Sequence, residues 1–483
     1  MTTLVESCSV LDSSKPSGYR TGVDIVISDE RFIEVGLPQK GIEPDTTIDG
    51  SSLLAVPGLI NAHTHSPENA LRGTTERLPL ELWLIRNFEG RKDLSPELTY
   101  LTTLVGGIEM VLSGTTSVLD HFLVAQEHFL ECVDAAYQAY ADLGMRATLA
   151  PMIEDRDFVL DQLSTQDPRI GEGRSNSLLS TESLLRATQE IIAKWHGEQN
   201  GTLRCMPGPG GSQWCSDELL LGAVQLASHY ETGLHIHVSE TELQERISKS
   251  VFGRSGIGRL AELGFLTPAT SLAHCVWVDQ SDLLLIAASG ATVVHNPVSN
   301  LKLGSGVAPI RQMLSQHIPV ALGSDGAGSN DTQNMWETVK TACLIHSPAL
   351  SGEDGWLSSR DAVSMATTMG ARALGQEDVL GQIEAGRLAD LVLIDLTENY
   401  LDPLPDAFGY LVYASTAPRV RHVFVNGKHI VKDGDLVTVN GEKVRSELRK
   451  ILTAHVEEES RDTNHVRRLE DLWRRAIERY ARA

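Results

Sequence analysis

Four short stretches hold residues whose types and spacing suit the binding and use of a divalent cation. The first is Asn61-Ala62-His63-Thr64-His65. Residues i and i+2 of an extended segment point the same way, so both imidazoles face one side, as two ligands of one ion do. Two histidines in a surface turn are the ordinary alternative. The second is Leu234-His235-Ile236-His237-Val238-Ser239-Glu240. His235 and His237 share a face. His237 stands at the end of the apolar run, where a ligand belongs, and His235 reads as a packed core residue. Glu240 follows three residues on, placed to carry a proton from water to a leaving group. The third is Ala273-His274-Cys275, an apolar run ending in a histidine that either orients the reacting groups or is a satisfied core residue. The fourth is Gly323-Ser324-Asp325-Gly326. An aspartate between glycines can approach an ion closely and accept a proton from water, or it can simply cap the next helix.

Each stretch follows an apolar run that reads as a strand. The candidates are Leu54 to Gly58, Thr116 to Leu119, Arg146 to Leu149, Leu203 to Met206, Leu234 to His237, Ser271 to Ala273, Ala291 to Val294 and Val320 to Leu322. Helical patterns such as Leu98 to Ser113 and Leu184 to His196 separate them. This alternation predicts an α/β fold with a parallel sheet, and eight strands fit a (β/α)₈ TIM barrel. In such a barrel, chemistry collects at the strands' C-terminal ends, where all four stretches fall. Three imidazoles (His63, His65, His237) and one carboxylate (Asp325) suit Zn²⁺ or Fe²⁺ and leave a position open for water.

The two ends of the chain read differently. Val23 to Ile27 and Phe32 to Val35 are strand-like, as are Leu391 to Asp395, Val420 to Asn426 and His429 to Val431. They predict a small composite β-sandwich from both termini, residues 1–57 plus 381–441, around a barrel at 58–380. Residues 442–483 are charged. Leu469, Leu472, Trp473, Ile477 and Tyr480 recur there at helical spacing, which predicts outer helices. Thr165 to Thr181 is largely polar and reads as a loop.

The chain has 483 residues, 41% of them hydrophobic, and can bury a large core. Its net charge of -23 repels phosphate backbones, which argues against nucleic acid as a partner. Six cysteines without CxxC spacing read as reduced thiols of a cytoplasmic protein. No apolar run reaches membrane-spanning length and the first twelve residues lack a signal pattern, so no membrane is expected.

These motifs, in this order, resemble the amidohydrolase superfamily, in its branch of deaminases and chlorohydrolases acting on aminotriazines, guanine, cytosine and S-adenosylhomocysteine. The resemblance runs from about Asp24 to about Val431. It also takes in Pro57 to Ile60, Leu71-Arg72-Gly73, Gly114-Thr115-Thr116, His295 to Gly306, Ser329-Asn330 and Gly381 to Leu391. It implies a barrel with a composite β-sandwich, a homodimer, and one catalytic ion, Zn²⁺ more than Fe²⁺. Binuclear relatives carry a lysine at the end of the fourth strand, and Leu203 to Gly211 contains none. By the same resemblance Glu240 shuttles protons, His274 polarises the substrate, and Asp325 both ligates the ion and activates water. Trp83 stands where relatives place an aromatic residue over a planar ring, or is a core residue of the Leu80 to Ile85 helix. His121 and Asn300 are further substrate-contact candidates. Nucleoside deaminases of this branch usually carry Pro-His-(Ala/Ser)-Pro-Tyr after the fourth strand. Here the stretch is Pro209-Gly210-Gly211-Ser212-Gln213-Trp214. Gly210 in the histidine's place argues against a nucleoside and suggests that Gln213 or Trp214 reads a different group, unless they are loop residues packed on the barrel rim.

The expected function is hydrolytic deamination of a small amino-substituted N-heterocycle by a metal-bound hydroxide. Retention of Glu240 favours loss of an amine, which leaves only when protonated, over loss of halide. Hydrolysis or closure of a cyclic amide or urea, removal of chloride or alkylamine from a triazine, and a silent binding protein are the alternatives.

Overall fold

The computed structural model describes residues 1–37, 43–91, 94–123, 128–156, 179–347, 356–397, 403–414, 418–458, 467, 470–471 and 473–475. Near the N-terminus lie β1 (Thr2–Leu11), β2 (Tyr19–Ser28), β3 (Arg31–Gly36), β4 (Thr46–Asp49) and β5 (Leu53–Pro57). Next come β6 (Leu59–Thr64), β7 (Thr115–Phe122), β8 (Arg146–Ile153), β9 (Leu203–Cys205) and β10 (Gly208–Pro209). Then follow β11 (Leu234–Val238), β12 (Thr270–His274), β13 (Thr292–His295) and β14 (Val320–Leu322). The last are β15 (Leu391–Asp395), β16 (Val420–Val425), β17 (Lys428–Lys432) and β18 (Asp435–Leu436).

The architecture is mixed α/β, with three sheets among the described residues. One has nine strands in the order β18-β17-β16-β15-β5-β1-β2-β3, with β4 beside β1, and so joins both ends of the chain. The other two are parallel throughout: β6, β7, β8, β9 and β10 in one, β11 to β14 in the other. All eight residues of β7 and of β8 are buried, as befits parallel strands covered on both faces. Two seams join the parallel sheets. At one, His235 N–H donates to Pro207 O at 3.2 Å and Gly211 bridges His237. At the other, Asp325 N–H donates to His63 O at 2.9 Å.

The helices between these strands begin where side chains satisfy their first amides. Ser95 caps Pro96–Leu112, Ser180 caps Thr181–Trp195, Ser216 caps Asp217–His229 and Thr241 caps Glu242–Phe252. Gln280–Ser289 opens with a capping box between Asp279 and Asp282.

One expectation is corrected. The run Leu54 to Gly58 is not the strand that presents His63 and His65. Leu53–Pro57 pairs with β1 and β15 in the nine-stranded sheet, and the parallel sheet begins with Leu59–Thr64. Gly58 is the switch point. Its N–H donates to Asp390 O, whereas Leu59 N–H donates to Gly114 O, both at 3.0 Å. A Cβ at Gly58 would stand 2.1 Å from Thr116 Oγ1, so only glycine lets the chain pass there. The two-residue period of β5 also serves two cores. Leu54 and Val56 join the large core under the helices, and Leu53 and Ala55 join the smaller one with Val5, Ile25 and Phe32.

Helix Gly441–Glu458 starts the charged tail. Trp473 is buried and Glu470 pairs with Arg86 at 2.5 Å. Leu469, Leu472, Ile477 and Tyr480, and residues 165–178 of the polar stretch, lie outside the described residues. All six cysteines are buried free thiols. No helix among the described residues is long and apolar enough to cross a membrane.

Candidate metal centre and cavity

The parallel strands bring His63, His65, His237 and Asp325 together at their C-terminal ends. Asp325 Oδ1 stands 3.4 Å from His63 Nε2 and 3.3 Å from His65 Nε2. His237 Nε2 is 3.3 Å from His65 Nε2. All four side chains are buried. Gly323 makes the approach possible, because a Cβ there would lie 2.7 Å from that of His63. Asp325 itself has φ +64°, and His274 and Cys275 are also left-handed, with φ +75° and +48°. Such backbone is costly for residues other than glycine and gathers where a site dictates geometry.

Behind the ring edges, hydrogen bonds fix which nitrogen faces inward. His65 Nδ1 and His237 Nδ1 each donate at 2.5 Å to a carbonyl, of His121 and of Gly210. Their Nε2 atoms are therefore turned to the centre. His63 is fixed by a relay. Ser271 Oγ donates to Leu234 O at 3.3 Å, so it accepts from His235 Nδ1 at 2.6 Å. His235 is held neutral by burial, so its Nε2 accepts from His63 Nδ1 at 2.8 Å. His63 Nε2 is left with a lone pair, and this buried atom makes no hydrogen bond.

Electrostatics sort the groups further. Burial would raise Asp325, but the His63 and His65 rings beside it outweigh burial and hold the carboxyl well below the usual range. Burial pushes His63 down to about 4 and His237 well below its ordinary value. Burial also opposes the charge on His65, yet the bond to Asp325 and the charge of Glu68 lift it to about 9. The donor set of three imidazole nitrogens and one carboxylate oxygen, buried, converging and fixed from behind, fits a metal ion.

Beside this centre Glu240 is buried, with Oε2 3.7 Å from His274 Nε2 and Oε1 accepting from Ser305 Oγ at 3.2 Å. Burial, reinforced by the charge of Asp325, holds its carboxyl well above the usual range. His274 donates its Nδ1–H to Asn300 Oδ1 at 2.9 Å, which turns its Nε2 toward Glu240.

A cavity opens over the centre. Its polar lining is His65, Glu68, Glu154, His237, Glu240, His274 and Asp325, and its apolar wall includes Leu80, Trp83, Leu84, Met152, Trp214 and Leu303. Trp83 stands on the helix Leu80–Arg91 and donates its Nε1–H to Gly328 O at 3.3 Å. Three candidates lie off this wall. His121 sits beneath it, its ring 4.6 Å from that of His237 and its Nε2 bonded to Gly208 O at 3.1 Å. Asn300 stands behind His274, and Gln213 is buried beside Ser212. Glu68 and Glu154 escaped the sequence reading. Glu154 directly follows β8, and its position at a strand's C-terminal end was a usable signal. Glu68 lies in a 3₁₀ turn, Ser66–Leu71, which no periodicity marks.

Residues 54–430 match the amidohydrolase family. The chain is 34% identical over 452 residues to a 5-methylthioadenosine/S-adenosylhomocysteine deaminase of Moorella thermoacetica, covering 92% of this chain and 98% of that one. It is 32% identical to a 5'-deoxyadenosine deaminase of Methanosarcina mazei, over 92% and 96% of the two chains. Among solved structures it is similar to the zinc complex of atrazine chlorohydrolase from Arthrobacter aurescens, with a TM-score of 0.84 at 26% identity, covering 93% and 99%. A zinc-bound adenosine deaminase from Xanthomonas campestris gives a TM-score of 0.81 at 25% identity, over 93% and 97%.

Proposed function

This chain belongs to the amidohydrolase family, as a metal-dependent hydrolytic deaminase acting on carbon–nitrogen bonds other than peptide bonds, and from that premise we propose its ion, its catalytic residues and its substrate class. One divalent ion, zinc rather than iron, is held by His63, His65, His237 and Asp325. When bound, it supplies Lewis acidity that lowers the pKa of a water molecule to about 7. The substrate is an amino-substituted N-heterocycle of aminopurine, aminopyrimidine or aminotriazine type. The aminopurine is the first to test, because relatives are named for adenosine-type nucleosides.

The residues divide the proton work. Asp325 is ionised and accepts a proton from the attacking water at a carboxylate oxygen. Glu240 is protonated and gives its proton to the leaving nitrogen, which departs as ammonia. His274 presents Nε2 beside Glu240 and orients the attacked bond. Trp83 and Trp214 offer flat apolar surface to the ring. The observation that carries this reading is the geometry of two buried carboxyls in one cavity, Asp325 Oδ1 at 3.4 and 3.3 Å from the Nε2 atoms of His63 and His65, and Glu240 Oε2 at 3.7 Å from His274 Nε2.

We also propose that the two parallel sheets make one closed (β/α)₈ barrel within 58–380, on the strength of the two seams between them. Residues 1–57 and 381–441 form the β unit, and helix Gly441–Glu458 packs outside it and the barrel. The buried thiols suit a reducing cytoplasm, and a homodimer is the assembly to check by light scattering. Metal analysis of the purified protein, with an ammonia-release screen over the three heterocycle classes and adenosine-type nucleosides, tests the function. About one zinc per chain and ammonia from one class are expected. A metal-free protein with undiminished activity would overturn the proposal, and chloride or alkylamine release without ammonia would transfer it to the chlorohydrolase-like chemistry.

A further inference from the structure

Helix Leu80–Arg91 contributes Leu80, Trp83 and Leu84 to the cavity wall. Between them stands Glu81, a carboxyl that the chemistry above does not use. It is buried, which is costly unless the group has a specific partner. Its hydrogen bond among the described residues comes from Thr241, whose Oγ1 donates to Glu81 Oε1 at 2.6 Å. Thr241 is the neighbour of Glu240 and opens the helix Glu242–Phe252, its Oγ1 accepting from Gln244 N–H at 3.2 Å. Gln244 closes the circuit, with Oε1 accepting from Glu240 N–H at 2.9 Å. Three consecutive bonds thus run from the wall helix to the backbone of Glu240. Ser239, just before it, sits at φ +54°. The turn that aims Glu240 therefore adopts backbone that nearby contacts must hold in place.

We propose that Glu81 is a positioning residue, which through Thr241 locks the Glu240 turn to the same helix that carries Trp83 and Leu84. One rigid element would then set both where the ring lies and where the proton donor stands. An ammonia leaving group needs its proton delivered at hydrogen-bond distance, and a displacement of about 1 Å costs on the order of a hundredfold in rate. The inference rests on Glu240 as the proton donor.

The test separates anchoring from folding and from charge. Glu81→Ala and Thr241→Val each remove the link. They are expected to lower kcat about tenfold to a hundredfold while KM stays within about twofold, and the double variant should be no worse than the poorer single one. Glu81→Gln keeps an oxygen in place for the Thr241 hydroxyl, and Thr241→Ser keeps the hydroxyl. Both are expected to retain kcat within about threefold. Glu81→Gln as impaired as Glu81→Ala would overturn the anchoring role. So would a Glu81→Ala variant that raises KM at unchanged kcat. Should Glu81→Ala fail to fold, the Thr241 pair decides the matter alone. Glu240→Gln is measured alongside. If it keeps full kcat, the proton-donor reading fails and the inference with it. If it is inactive while Glu81→Ala and Thr241→Val turn over like the parent, the inference alone fails.

Discussion

Two clusters of buried polar side chains lie along the same strands, and they are built on opposite terms. At the start of β8, Arg146 meets Asp390, with Nε to Oδ2 at 3.1 Å and Nη2 to Oδ1 at 3.0 Å. Asn426 accepts from Arg146 Nη2 at 3.1 Å, and its own N–H donates to Asp390 Oδ1 at 2.8 Å. Ser117 adds a further donor to the carboxylate at 3.3 Å. Charges cancel, donors meet acceptors, and the nine-stranded sheet is pinned to the parallel strands. At the other end of those strands, three imidazole lone pairs and a carboxylate converge on one another. The first cluster is complete as it stands. The second is not paired in this way, and its converging donors fit a cation, which is what a structural polar cluster does not offer.

The largest contrast is expected from Asp325→Ala. It should remove bound metal and lower kcat/KM by more than about a thousandfold, since one side chain is proposed both to ligate the ion and to take the proton. Metal content and turnover measured on the same preparation check it. Retained zinc with retained activity would remove Asp325 from the centre. Glu240→Gln comes next. It should keep the metal and lose about a hundredfold to ten-thousandfold in kcat, because only the donated proton is gone. Loss of metal in this variant would make Glu240 part of the ion's support instead. Arg146→Met should act in the opposite sense. It strands the Asp390 carboxylate in the interior and should cost about 3–5 kcal/mol of stability, read from the denaturant midpoint. The protein that remains folded should bind metal as before. A change in metal affinity without a change in midpoint would mean that the two clusters are not separate.

Much of this contrast was legible in the sequence, and its limits are physical. Side chains at strand ends are readable because strand periodicity fixes which residues share a face, so the convergence of His63 with His65 and His237 could be anticipated from spacing. The run Leu54 to Gly58 was misassigned because a buried apolar strand reads alike in either sheet. Only the contact between Gly58 and Thr116, 58 positions apart, decides where the chain crosses from one to the other. The cavity wall was half legible. Trp83 and Trp214 line it, but Glu68 and Glu154 arrive through the path of a turn and the length of a strand. His121, Gln213 and Asn300 were placed by chain position near the site, and the chain turns them beneath or behind the wall.

His235 gives the smallest and sharpest test of the comparison, because it belongs by burial to the complete kind of cluster and by bonding to the incomplete one. The sequence reading made it a core residue, and it is fully buried. Yet its Nε2 accepts the Nδ1–H of His63, and that bond keeps the His63 lone pair aimed at the centre. Such partners behind a ligand are worth about tenfold to a hundredfold in metal affinity. His235→Gln, which offers a carbonyl oxygen near the same place, should weaken zinc less than His235→Leu, which offers none. Competition with a chelator ranks the two. Both should unfold within about 1–3 kcal/mol of the parent when free of metal, the cost of one unmade buried bond. Equal zinc affinity in the two variants would return His235 to the core and leave His63 oriented by packing alone. A graded loss would show that the division between the two polar clusters runs through the bond between His235 and His63.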